Sequence, residues 1–431
     1  MSTDYDVLII GGGFAGVTAM RELCGKGIRC LLLEARDRLG GRTFTTEFAG
    51  HVVELGGTWV HWTQPHIWAE ITRYGLEVTE SPQAQNAILV TEGERTMGGA
   101  DLVGNLFRTL DRVMQDARRI DRPHDEDWYK GLEALDAIST QQRIHDSQLM
   151  KREIALATAS LAAMVGSSCA HVSLLGLLHF WALSNYTTAG LFEAGVRYKL
   201  RHGTRALINC MITDAERTHR SDILSSTPVS SVRRSNSEVV ATTETGRRFS
   251  ARAAVVAVPV NVLSDIEFVP SLLPSKLGAA REKHANRSAK SWSLIAKRQE
   301  DFFALGDGEG LVWLQSELHG VEGTVMVGFA LGNKFDVCNR AEVEDEVSRF
   351  LPGERVLAVT GHDWTADRYS KGGYFVPKMQ QITRFLKDLQ QPEGNIVFAG
   401  GDIAFGWQGF IDGAVESGLR AARQVSLLLG C

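Results

Sequence analysis

The sequence predicts an α/β fold in which a parallel-sheet domain is interleaved along the chain with a mixed α+β domain. Three stretches predict it. Asp6 to Ile10 is a short apolar run that stops at Gly11-Gly12-Gly13-Phe14-Ala15-Gly16 and passes into a helix-compatible run, Val17 to Leu23. Ala253 to Val258, ended by Pro259, is a continuous apolar run, as in a strand buried on both faces of a parallel sheet. Asn395 to Ala399 again runs into glycines, Gly400-Gly401-Asp402, before a helix rich in small residues from Asp412 to Ala422. These pieces of a Rossmann-like domain lie at both ends and in the middle. The expected division is therefore 1–82, 196–260 and 392–431 for the nucleotide domain, and 83–195 with 261–391 for a substrate domain.

The first glycines read as G-x-G-x-x-G: Gly11 for the turn, Gly13 for close approach of a phosphate, Gly16 for packing of helix on strand. A diphosphate there would sit on the free N–H groups of the helix start, where the macrodipole favours negative charge. A second strand, Cys30 to Leu33, ends in Glu34, about 20 residues beyond the glycines, where an acid can take the ribose hydroxyls. Arg36-Asp37-Arg38-Leu39-Gly40-Gly41-Arg42 follows, with two glycines for close backbone approach and arginine forks for phosphate. With this second loop, the site resembles the FAD-binding start of the glutathione-reductase-like flavoproteins rather than a nicotinamide dehydrogenase.

Composition sets the remaining bounds. A chain of 431 residues suits two ordinary domains, and 44% hydrophobic with 23% charged residues describes a globular protein. A net charge of −5 gives no reason to expect nucleic acid or a basic membrane patch. Six scattered cysteines without a C-x-x-C pair suggest reduced thiols, and no run approaches the ~20 apolar residues of a membrane span. No signal core precedes the first glycines, so the expected location is the cytoplasm.

Taken in order, Gly50 to His61 reads as a strand entering a turn at Gly56-Gly57, whose bare backbone could lie against a flat ring; Trp59, His61 and Trp62 are candidates for the same neighbourhood. Residues 83–195 read as a mainly helical insertion: one amphipathic helix through Leu106, Phe107, Leu110, Val113, Met114, Ala117 and Ile120, a second from Lys151 to Met164, and a buried or pocket-lining one from Leu174 to Ser184. His171, His179 and His202 are too dispersed for a zinc site, and no metal is expected. Tyr198 to Gly203 reads as a strand and turn, Ala206 to Arg217 as a helix, Ile223-Leu224 and Thr227 to Val232 as strands, and Val239 to Ser250 as a hairpin. In the second excursion, Ser291 to Ala296 and Gly323 to Ala330 carry strand patterns and Ala341 to Leu351 a helical one.

The G-x-G-x-x-G start, Arg38-Leu39-Gly40-Gly41-Arg42, Glu54-Leu55-Gly56-Gly57, the Trp364 to Tyr374 stretch and Phe398 through Ala414 together resemble the flavin-dependent monoamine and polyamine oxidase family over nearly the whole chain. The W-x(9)-Y spacing followed by G-W-x-G-F-x-x-G-A is the specific part. The resemblance implies noncovalent FAD, because Gly373 stands where some members attach flavin through cysteine. It implies that Gly11, Gly13, Gly16, Glu34, Arg36 and Arg42 hold the ADP portion and diphosphate, and that Val229 meets the adenine through its backbone. Trp364, Gly56 and Gly57 would border the isoalloxazine, Asp402 would lie by the ribityl–phosphate chain, and Ile411 would offer its N–H to the pyrimidine end. Phe14, Ala15, Ala35, Gly41, Thr58, Trp59 and Gly401 belong to the same implied cofactor set. Tyr374 and Phe410 match the aromatic pair flanking the substrate amine, and Lys290, with Lys297 as competitor, matches a lysine that holds a water at flavin N5. His202-Gly203 departs from the Gly-Gly that many relatives carry before the returning helix.

The implied activity is hydride transfer from an amine α-carbon to flavin N5, imine hydrolysis to aldehyde or ketone, and reoxidation by O2 to hydrogen peroxide. Partners are then a small-molecule amine and O2, with a homodimer left open. The expected substrate is a primary or secondary amine with an apolar or aromatic body; no acidic cluster awaits the second ammonium of a polyamine. Two alternatives stand beside it: a carotenoid- or porphyrinogen-type desaturase, and a non-catalytic flavoprotein.

Overall fold

The computed structural model describes residues 4–84, 86–332 and 335–430. Its first large sheet has eight strands. In spatial order seven run Ser221–Leu224, Cys30–Leu33, Tyr5–Ile10, Arg248–Val256, Val239–Thr243, Val229–Arg234 and Glu267–Val269, and Ile396–Phe398 also pairs with Arg248–Val256. Parallel register sets Val7 opposite Cys30 on one side and Ala253 on the other. Strand alternation then divides the first strand between two cores. Val7 and Ile9 pack with the Phe14–Gly25 and Ile411–Leu429 helices, and Leu8 and Ile10 pack with Ala279 and Ala280 of the Pro274–Glu282 helix.

The second arm of the expected hairpin and the expected buried run are one strand, Arg248–Val256. Its first half pairs antiparallel with Val239–Thr243; its last residues pair in parallel with both Tyr5–Ile10 and Ile396–Phe398. The strand Glu267–Val269 joins this sheet from within the stretch read as the second excursion. Glycine is required where the two site-bearing helices meet the sheet and each other. A Cβ on Gly16 would strike the Gly11 carbonyl, and one on Gly418 would lie 2.7 Å from the Thr18 Cβ.

The second sheet has seven strands, in the order Val356–Asp363, Ser288–Ile295, Thr324–Leu331, Gly310–His319, Phe302–Gly306, Asn86–Thr91 and Glu94–Gly98. Residues 83–195 are mainly helical as expected, but they open with a hairpin, the last two strands of this order, that extends the sheet. Leu106 to Ile120 is not one helix. The α-helix Ala100–Val113 gives way to the 3-10 turn Gln115–Arg119, where Met114, Ala117 and Ile120 keep the apolar stripe at a spacing of three. The Tyr198–Leu200 strand pairs with Trp59–Val60 and Val78–Glu80 in a small separate sheet. Among the described residues no helix is long and apolar enough to cross a membrane.

Candidate active site

The carboxyl ends of four first-sheet strands open into one continuous cavity of about 620 Å³. It is lined there by Ile10 and Gly11, Leu33 and Glu34, Ala257 and Val258, and Gly400 and Gly401. This is where an open parallel sheet presents ligands. The cavity continues to Lys290, Trp313 and Phe329 of the second sheet and to Met164, Phe180 and Phe192 of the helical insertion.

At the first-sheet end the local structure suits a dinucleotide. Gly11 has φ +108°, and a Cβ there would lie 2.6 Å from the Ala257 carbonyl. Gly13 bridges to Gly40, and a Cβ on Gly41 would stand 3.1 Å from the Gly13 Cα. Glu34 accepts from the Gly12 N–H at 2.7 Å and the Arg36 N–H at 2.8 Å, so its carboxylate also fixes the two loops it joins. Arg36 reaches Asp367 at 2.5 Å and Ser370 at 2.9 Å; against the upward push of burial, the His362 hydrogen bond and the Arg36 charge hold Asp367 down at about 2.

Two helix N-termini border this cavity without a side-chain cap: Phe14–Gly25 begins at Gly13, and Ile411–Leu429 begins at Phe410. Asp412, in the first turn of the latter, turns away. Its Oδ1 accepts from the His66 N–H at 2.6 Å and the Ile67 N–H at 2.9 Å, capping the Pro65–Arg73 helix instead. The first-turn N–H groups of the last helix are thus not taken by a side-chain cap and stay free to donate toward the cavity.

Gly56 and Gly57 lie beside Trp364, whose indole N–H donates to the Leu55 carbonyl at 2.8 Å; a Cβ on Gly56 would meet the Trp364 ring at 2.8 Å. Lys290 stands next to them, 2% exposed. Its ammonium donates to the Gly56 carbonyl at 2.9 Å and to Thr58 Oγ1, and lies 4.8 Å from the Trp59 ring centre. Burial pushes it down to about 7, with the Glu54 and Glu317 carboxylates opposing. The competitor, Lys297, is 71% exposed and faces Glu354 at the surface.

Of the residues singled out from sequence, Gly11, Gly13, Phe14, Ala15, Glu34, Ala35, Arg36, Gly41, Arg42, Gly56, Gly57, Thr58, Trp59, Val229, Lys290, Trp364, Tyr374, Gly401, Phe410 and Ile411 share this one wall. Gly16 lies behind it, in the helix–strand contact. Asp402 does not line it either: its carboxylate is buried, taking the Arg42 guanidinium at 2.5 Å and the Val260 N–H at 2.9 Å. His61 and Trp62 do not line the cavity: His61 is bonded to Thr63 and lies tilted against Trp62, which is 51% exposed. The His202-Gly203 turn holds because only Gly203 takes positive φ, +76°. The stretch Leu174 to Ser184, read as a buried or pocket-lining helix, brings Phe180 to the far end; the rest of the apolar lining there, Met164, Leu191, Phe192, Trp313 and Phe329, is what sequence reasoning missed, gathered from distant elements.

A sequence model described as flavin containing amine oxidoreductase matches residues 14–426. The chain belongs to this family. Nicotine dehydrogenase of Pseudomonas putida is 37% identical over 99% of this chain and 89% of its own length. Pseudooxynicotine dehydrogenase of a Pseudomonas species is 35% identical over 99% and 87%. Among solved structures, putrescine oxidase bound to putrescine superposes with a TM-score of 0.84 at 22% identity, covering 98% of this chain and 99% of that one. Cyclohexylamine oxidase from Brevibacterium oxydans gives 0.84 at 21%, covering 99% and 100%. This protein is an FAD-dependent enzyme acting on amines, and carbon–carbon desaturation is set aside. The residues present fit the cofactor: tight glycine loops and uncapped helix starts for a diphosphate, a buried carboxylate for a ribose, and a bare-backbone slot for a flat ring.

Proposed function

We propose that this flavoenzyme oxidises an amine with one basic aliphatic nitrogen on a compact apolar or aromatic body; pseudooxynicotine, a secondary amine, fits that class, and nicotine extends it to a tertiary one. One observation carries the reading: the distribution of acids along the cavity. Among the described residues its carboxylates are Glu34, Glu244 and Asp265, and each is engaged: Glu34 with backbone N–H groups, Glu244 with Arg368, Asp265 with Lys371. The described lining of the far end offers aromatic and aliphatic surface and no counter-charge for a second ammonium. Tyr374 and Phe410 would flank the amine there, and burial pushes the Tyr374 phenol up, so it stays neutral.

A site walled by such rings disfavours the ammonium by desolvation, which leaves the amine its lone pair. FAD, when bound, accepts the two electrons that the amine carbon gives up. The chain itself would hold it through the Glu34 and Arg42 loops, offer it the free N–H groups at the start of the last helix, and exclude water with the aromatic end. Noncovalent attachment is part of the proposal. So are the roles of the individual residues and the division of the chain at 82, 196, 260 and 392. Dioxygen as acceptor and a cytoplasmic setting complete it; the five described cysteines are all free thiols, which suits a reducing compartment.

The test is anaerobic titration of the yellow protein with nicotine, a straight-chain monoamine and putrescine, scored by loss of flavin absorbance. Bleaching by the ring-bearing amine in preference to putrescine supports the reading; preference for the diamine sinks it. Readmission of air with peroxide assayed decides the acceptor. Turnover with a dye but no peroxide would reject dioxygen.

A further inference from the structure

Beneath the apolar end of the cavity runs a buried polar chain that the proposed chemistry leaves unused. Trp313, Gln315 and Glu317 alternate along the Gly310–His319 strand. The Trp313 indole N–H donates to Gln315 Oε1 at 2.9 Å, and Gln315 Nε2 donates to Glu317 Oε2 at 2.8 Å. From the opposite side the Trp59 indole N–H donates to Ser81 Oγ at 3.0 Å, and Ser81 Oγ donates to Glu317 Oε1 at 2.8 Å. Lys199, on the strand paired with Trp59–Val60, forms an ion pair with the same carboxylate. Both terminal indoles line the cavity, and Glu317 is 1% exposed.

The direction of these bonds explains the acid. An indole N–H only donates. A serine hydroxyl and a glutamine amide each accept on one side and donate on the other, so they pass that direction along. Two donor strings that start at two indoles and meet must end on a group that only accepts. An ionised carboxylate is that group, and Lys199 offsets the cost of burying it.

We propose that Glu317 is a positioning residue for substrate recognition: it locks the Trp59 and Trp313 rings as fixed walls of the amine pocket and so sets a preference for flat, ring-bearing amines. This rests on the reading that an apolar-bodied amine occupies that end. In Glu317→Gln the new amide must turn its N–H toward either the Gln315 amide N–H or the Lys199 ammonium, leaving donor against donor in one arm. The double exchange Gln315→Glu with Glu317→Gln removes the conflict. The carboxylate, now one step nearer Trp313 on the strand, would accept from that indole and from the new amide beside it. The oxygen of that amide would in turn accept from Ser81 and Lys199.

The experiment compares holoenzyme of wild type, Glu317→Gln and the double exchange. For Glu317→Gln, kcat/KM for nicotine is expected to fall roughly tenfold to a hundredfold, the size of a lost hydrogen bond to a charged group. For butylamine it should change less than about threefold. The near-ultraviolet circular dichroism of immobilised indoles should weaken in the single variant, and the double exchange should restore both signals. Equal losses for both amines, or a double exchange no better than the single one, overturn the proposal. If Glu317→Gln does not fold, Ser81→Ala, which cuts only the Trp59 arm, is judged by the same two readouts. Failure of wild type to reduce its flavin with any ring-bearing amine would instead sink the proposed substrate class, while the dichroism still decides the role of Glu317.

Discussion

Replacing Lys290 by methionine should change the pH dependence of stability more than stability itself. Methionine fills the same tunnel beside Trp59, Trp292 and Phe329 without the charge. In the wild type the ammonium is held at about 7 rather than 10.5 because it is buried. Below pH 7 that burial opposes folding by about 5 kcal/mol, at about 1.4 kcal/mol per pH unit. The sign follows from proton counts: between 7 and 10.5 the unfolded lysine binds more protons than the folded one, so the wild type gains stability as pH rises through that window. Two bonds, to the Gly56 carbonyl and Thr58 Oγ1, work the other way and are lost at every pH, at a cost of about 1–3 kcal/mol each. Stability of wild type minus Lys290→Met should therefore rise by roughly 5 kcal/mol from about pH 6 to about pH 10.5. Urea unfolding of both holoenzymes across that range, with free flavin held constant, measures it. A difference that stays flat with pH would refute the reasoning, because it would mean that the ammonium is not desolvated.

Four further outcomes are expected. Acid precipitation should release all flavin into the supernatant, and Gly373→Cys should bind FAD poorly rather than tether it, since a Cβ there would stand 2.8 Å from Ser288 Oγ and closer still to the Asn286 amide. Asp402→Asn should raise the Kd for FAD about tenfold to a hundredfold by freeing Arg42, read by flavin fluorescence on titration of apoprotein; an unchanged Kd would show that Arg42 holds its place alone. Tyr374→Ala should lower kcat/KM for a ring-bearing amine by about tenfold or more while flavin content stays near wild type. Loss of flavin would move Tyr374 to the cofactor's side of the site.

Much of the nucleotide end was legible because its chemistry is local. Gly11, Gly13 and Glu34 sit at fixed spacing around one turn, and the backbone conformation they permit is written in a short stretch of chain. The far end is not local. Phe192, Trp313 and Phe329 join Phe180 only after helices from the insertion fold over the second sheet, and each of those three reads in sequence as an ordinary core aromatic. A motif position fixes where a residue stands, not which way it turns: Asp402 turns its carboxylate to the Arg42 guanidinium and the Val260 N–H. The hairpin Asn86–Thr91 to Glu94–Gly98 was hidden for a related reason: its pairing partner, Phe302–Gly306, lies far along the chain, beyond the whole helical insertion.

The cap that Asp412 gives the Pro65–Arg73 helix spans 346 residues. During synthesis, a chain emerging from the ribosome exposes that early helix long before this side-chain lid exists, and the last helix also brings its N-terminus to the cavity wall. The cavity is therefore incomplete until the last helix has packed against the first.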